Sequence, residues 1–175
     1  MGTTYLTILL ASYMSGVFGK KTAVLEMNRH GDFSRICERH KKKQTECICF
    51  RFRGVDYYPF AAEGNIADCL NQGYECIVMD FGNEYLQGRK EFLRCQKKIV
   101  LGSLADWEMD RFMDFMKWTQ MDNARDWMYA AFLGDGKNRK RAERQCRISI
   151  AQIPFLESPY WIDETVMRFF QEFLK

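Results

Sequence analysis

Two spacings of apolar residues alternate along the chain. Short runs carry the rhythm of strands, and between them apolar residues return every three or four positions, as on one face of a helix. The strand-type runs fall at residues 22–27, 46–52, 75–80, 98–102, 127–133 and 147–153, and a helical pattern follows each. Ahead of the first run, Leu6, Leu9, Leu10, Tyr13, Met14 and Val17 mark the apolar face of another helix. Asp32 is placed to cap a helix reaching about Lys41, and Asp163 to cap a terminal helix whose Val166, Phe169, Phe170, Phe173 and Leu174 share a side. Tyr57-Tyr58-Pro59 reads as a loop, residues 61–71 as a helix, and residues 106–120 as a helix rich in Trp, Phe and Met, a packing face. Strand alternating with helix implies parallel strands joined by right-handed crossovers, hence a three-layer αβα sandwich.

Length and composition narrow this picture. A chain of 175 residues, 47% hydrophobic, can bury a sizeable core as one domain, residues 1–175. A net charge of +3 is too small to imply nucleic acid by itself. The most basic segment carries Lys137, Arg139, Lys140, Arg141, Arg144 and Arg147. It has no interleaved aromatic to stack bases, so a solvated helix is favoured over a nucleic-acid site. No run is long enough to span a membrane, and the apolar start of the chain lacks the basic flank of a signal peptide. The terminal helix has few basic residues on its polar side and is expected to close over the sheet. Seven cysteines, scattered in apolar surroundings, suit reduced thiols in a cytoplasmic protein. Cys37, His40, Cys47 and Cys49 are ligand types suited to zinc, but their spacing departs from the Cys-x₂-Cys knuckle, and Cys47 and Cys49 read as core positions on one strand face.

Candidate chemistry concentrates in two stretches. Gly2-Thr3-Thr4 opens the first helix. A helix N-terminus carries unpaired N–H groups and the positive end of the dipole; a glycine admits phosphate and a hydroxyl can reach Mg²⁺. The bland alternative is a threonine N-cap. The second stretch, residues 75–82, is an apolar strand ending in Asp80 and then Gly82. Open α/β sheets bind ligands at the carboxyl ends of their strands, where Asp80 would lie; a helix cap near Glu84 is the alternative.

Taken with Gly19-Lys20-Lys21-Thr22-Ala23-Val24-Leu25-Glu26-Met27-Asn28, the Gly2-Thr3-Thr4 start resembles the MinD/ParA-type (deviant Walker A) P-loop ATPases. In that family a glycine-rich loop ending Gly-Lys-Thr-Thr opens a helix that leads into such a strand. Residues 75–82 are similar to its acid-bearing strand, and Ile153-Pro154-Phe155 to its segment beside the adenine. The resemblance implies a P-loop NTPase-like sheet, lacking here the first, central strand, and it implies ATP and Mg²⁺ as cofactors. Phosphate would fall to Gly2, Thr3 and Thr4, Mg²⁺ to Thr4 and Asp80 with Gly82 beside them, and the base to Pro154. The family's acidic residue after the first strand here matches either Asn28 or Asp32. Thr3 stands where the family has its phosphate-binding lysine, so ATP hydrolysis is not expected. The implied role is a regulatory or positioning protein acting through a protein partner or a nucleotide-sandwich homodimer. The alternative is a non-nucleotide interaction module that kept the fold and lost the site.

Overall fold

The computed structural model describes residues 2–40, 48–122 and 124–175. These fall into two compact units, one built mainly from residues 3–93 with 156–167, the other from residues 94–155 with 168–175.

The first unit holds a four-stranded sheet of order β2-β3-β1-β4, with β1 at Thr22–Glu26, β2 at Phe50–Phe52, β3 at Val55–Tyr58 and β4 at Cys76–Asp80. β1 lies parallel between β3 and β4, and Glu26 stands beside Asp80 in the register. Burial on both faces explains why β1 reads Thr-Ala-Val-Leu-Glu without alternation: all five residues are buried. Helix α1 (Thr3–Phe18) leads into β1. Its Ile8 and Ala11 pack with Val24, Phe33, Val55 and Tyr57. Leu6, Leu9 and Tyr13 are buried as well, so the helix is covered on more than the single face its pattern predicted, while Val17 at its end is exposed. Helices α2 (Asp32–His40), α3 (Glu63–Asn71) and α4 (Tyr85–Arg94) complete the unit.

The sequence reading needs correction around β2 and β3. The strand expected over 46–52 is confined among the described residues to Phe50–Phe52, and the expected loop at Tyr57-Tyr58 is strand β3, antiparallel to β2. Arg53 and Gly54, both at positive φ (49° and 82°), make the two-residue turn between them.

The second unit holds a parallel sheet of order β5-β6-β7, with β5 at Lys98–Gly102, β6 at Trp127–Ala131 and β7 at Ile150–Gln152. Helices α5 (Met109–Thr119) and α6 (Gly136–Cys146) alternate with these strands. β7 starts three residues later than its apolar pattern, because Arg147 at φ 55° closes α6 in the left-handed region first. Helix α7 (Glu164–Phe173) is capped by Asp163 as expected, its Oδ1 accepting from Val166 N at 2.9 Å, and buries Val166 and Phe170. Among the described residues β2 and β4 are the edge strands of the first sheet, and β5 and β7 those of the second. No helix of the described residues is long and apolar enough to cross a membrane.

Candidate functional site

At the carboxyl edge of β1 and β4 the first unit gathers a hydroxyl, two aspartates and a buried glutamate. Thr4, in the first turn of α1, donates from Oγ1 to Asp80 Oδ2 at 2.9 Å and is 3.2 Å from Asp32 Oδ2. Thr3 is the first residue of α1, and its hydroxyl also favours the charged form of Asp80. Asp80 is the last residue of β4 and only 2% exposed. Its other oxygen, Oδ1, accepts the Gly82 amide at 2.9 Å, closing the turn that ends the strand. Burial raises the Asp80 carboxyl above its ordinary value; the Gly82 amide, the Thr4 hydroxyl and the nearby His30 oppose that rise. A carboxylate held this way is costly when charged, and a cation would relieve the cost.

Asp32 reaches the site because another residue does its expected work. The sequence points to Asp32 as the cap of α2, but Asp32 is the first residue of that helix, and the cap is Glu26 at the end of β1. Glu26 Oε1 accepts from Asp32 N at 2.7 Å and Phe33 N at 3.4 Å, and Oε2 from Phe60 N at 3.3 Å. It is 1% exposed, and burial raises its pKa against these three amides. The Asp32 carboxylate is thereby left for Thr4 on Oδ2 and for the Arg35 guanidinium, 2.9 Å from Oδ1. Asn28 faces the backbone, donating to the Asp80 carbonyl at 2.9 Å and accepting from His30 N at 2.9 Å.

Gly82 has φ 55°, and a Cβ there would lie 2.8 Å from His30 Cε1 and 3.2 Å from Asn28. Only glycine lets the β4 turn and the His30 loop approach so closely. His30 Nε2 is in turn 3.1 Å from Asn83 Oδ1. Gly2, at φ 96°, turns the chain into α1. Of the residues singled out from the sequence, Thr3, Thr4, Asp80 and Gly82 are therefore brought together. Pro154 follows β7 in the second unit, and the cluster is composed without it. Glu26, Arg35 and His30 escaped the sequence reading. An acid closing a five-residue buried strand was the signal available for Glu26.

The donor set is all oxygen, one hydroxyl and two carboxylates, which suits Mg²⁺ rather than a softer metal. Among the described residues no three His, Cys, Asp or Glu side chains are arranged to hold a metal by themselves, so Mg²⁺ here would need phosphate and water to complete its shell. The zinc alternative loses its set: Cys37 is disulfide-bonded, which also departs from the expectation of reduced thiols throughout, and Cys47 lies outside the described residues. His40 stacks on Phe52 at 4.2 Å. Cys49, Cys69, Cys76, Cys95 and Cys146 carry reduced thiols.

Neither a protein-family model nor a curated protein matches the sequence. Solved structures do match the fold. The chain is similar to the MinD cell division protein of Aquifex aeolicus (TM-score 0.60, 11% identity, covering 98% of this chain and 81% of that one). It is also similar to the MinC:MinD cell division protein complex of Aquifex aeolicus (TM-score 0.63, 10% identity, 97% and 80% covered). A ParA family ATPase from Chlorobium tepidum TLS aligns at TM-score 0.56 and 11% identity, with 98% and 85% covered. Identity this low carries the fold alone, and on that ground the chain has a MinD/ParA-type, P-loop NTPase-like α/β fold.

Proposed function

We propose that this chain is a MinD/ParA-like nucleotide-binding protein of regulatory or positioning type, with ATP and Mg²⁺ as its ligands and association with a partner as its output. One observation carries the reading: the Thr4 hydroxyl, at the N-terminus of α1, is bonded to the buried Asp80 and lies against Asp32 at the carboxyl edge of parallel strands. Open α/β folds bind phosphate ligands at such an edge. Thr3 and Thr4 lie where the helix dipole favours phosphate, and Thr4 with Asp80 would hold Mg²⁺, which would neutralise phosphate charge. Asp32 holds the Thr4 hydroxyl from its other side, and Glu26 fixes Asp32 by clamping the first amides of α2. With Thr3 in place of a lysine, no ammonium from that position meets the transferring phosphate, so binding without efficient hydrolysis is the expected behaviour. The MinC:MinD complex among the similar structures supports an output through a protein partner.

Thermal melting tests this reading. A ligand at about a hundred times its Kd stabilises by about 2.7 kcal/mol. ATP with Mg²⁺ should raise the midpoint of the wild-type protein by several degrees and leave that of Asp80→Asn unmoved. Equal midpoints with and without ATP and Mg²⁺ in the wild type would remove the nucleotide from the account.

A further inference from the structure

Helix α6 is charged against its own stability. Lys137, Lys140, Arg141 and Arg144 recur at i, i+3, i+4 and i+7, so they share one face over two turns, and like charges at these spacings repel. Lys137 also sits in the first turn, where the dipole disfavours a cation, and that turn holds no acid. All four side chains are exposed, and among the described residues none of them is seen in an ion pair. They line a single cavity of about 580 Å³. Its far wall is tied to the helix by Asn138, whose Nδ2 donates to the Leu104 carbonyl at 3.0 Å and to Asp106 Oδ1 at 2.8 Å. Asp135 caps the same turn through Asn138 N at 2.7 Å. The helix is thus pinned at its N-terminus, and its cations converge on a concave surface.

We propose that this groove docks an acidic, helical segment of a partner protein, its glutamates or aspartates spaced one turn apart against Lys137, Lys140, Arg141 and Arg144. Charge complementarity points to an acid. Three observations point to protein rather than nucleic acid. No aromatic lines the groove to stack a base. The whole chain carries only +3, against the strongly basic balance of nucleic-acid binders. The four cations are confined to two turns of one helix beside a half-open hollow, whereas a duplex backbone is tracked by an extended strip of cations. The proposal stands independently of nucleotide binding, since it draws only on residues of the second unit.

Fluorescence anisotropy tests it with the full chain and a labelled peptide of about four helical turns bearing glutamates at i, i+3, i+4 and i+7. Binding is expected at about 50 mM salt and should weaken steeply by about 200 mM. Arg141→Glu should weaken it about tenfold or more, Arg144→Gln by less, and Lys97→Glu, an exposed control outside the groove, should leave it unchanged. Far-UV circular dichroism checks that each variant keeps its helices, and Arg144→Gln carries the test should Arg141→Glu fail to fold. Absence of peptide binding at low salt, equal affinity in both groove variants and wild type, or tighter binding of a labelled DNA duplex than of the peptide would each overturn it.

Discussion

Asp80 pays in stability for its position, and pH reveals how much. Burial raises its folded-state pKa above the ordinary 3.8, so the folded protein holds the proton more tightly than the unfolded chain does. The stabilising contribution is complete below the ordinary value, where the group is neutral in both states, and is lost as pH rises through the raised folded value. Asp80→Asn keeps an acceptor oxygen for the Gly82 amide and turns its NH₂ to the Thr4 hydroxyl, which can accept from it, without the charge. It should melt above wild type at neutral pH, with the gap closing below the ordinary carboxylate range; a gap that widens on acidification would contradict this assignment. Tyr57 makes a second prediction: it is fully buried, with no hydrogen-bond partner for its hydroxyl among the described residues. Tyr57→Phe should therefore cost nothing and stabilise by up to about 1 kcal/mol by urea unfolding, where a loss of that size would mean a bonded hydroxyl. The site was legible as far as residue type and place in a motif decide it. Thr4 and Asp80 were named from the sequence although they are 76 residues apart. The division of labour between Glu26 and Asp32 was not legible, because it depends on where the turn after β1 sends the amides of α2.

At the scale of elements, the alternating periods located the helices well, since most have an apolar stripe and several have a cap; the mostly charged α6 buries only Ala142 and Cys146. What they missed was local. Val55–Tyr58 reads as a loop beside Pro59, yet the Arg53-Gly54 turn folds it back on β2, and the glycine there was the readable sign. The late start of β7 came from Arg147, a residue with no sequence signature of a left-handed cap. That position gives a further test. A non-glycine residue in this conformation costs roughly 1–2 kcal/mol, so Arg147→Gly should raise the unfolding free energy by about 1 kcal/mol. An unchanged or lower value would show that the arginine side chain holds the helix end by its own contacts.

For the molecule as a whole, alternation of strand and helix was enough to give a mostly parallel α/β fold, and solved MinD and ParA structures share it at 10–11% identity. Pattern survives such divergence because burial on both faces constrains apolar character and length, leaving the individual residues open. The chemistry of the edge is more exacting; Thr4 meets Asp80 there, and the proposed reading sets Thr3 where the family has a lysine. The central claim is that this edge still binds nucleotide through Mg²⁺ held by Thr4 and Asp80. Titration calorimetry with ATP, in Mg²⁺ and again with Mg²⁺ chelated, on wild type and on Thr4→Val, tests it most directly. The account predicts binding to the wild type that disappears on chelation and is lost or strongly weakened in Thr4→Val. Binding of equal strength in all of these arms would contradict the site assigned here, and no heat of binding in the wild type with Mg²⁺ would contradict the function.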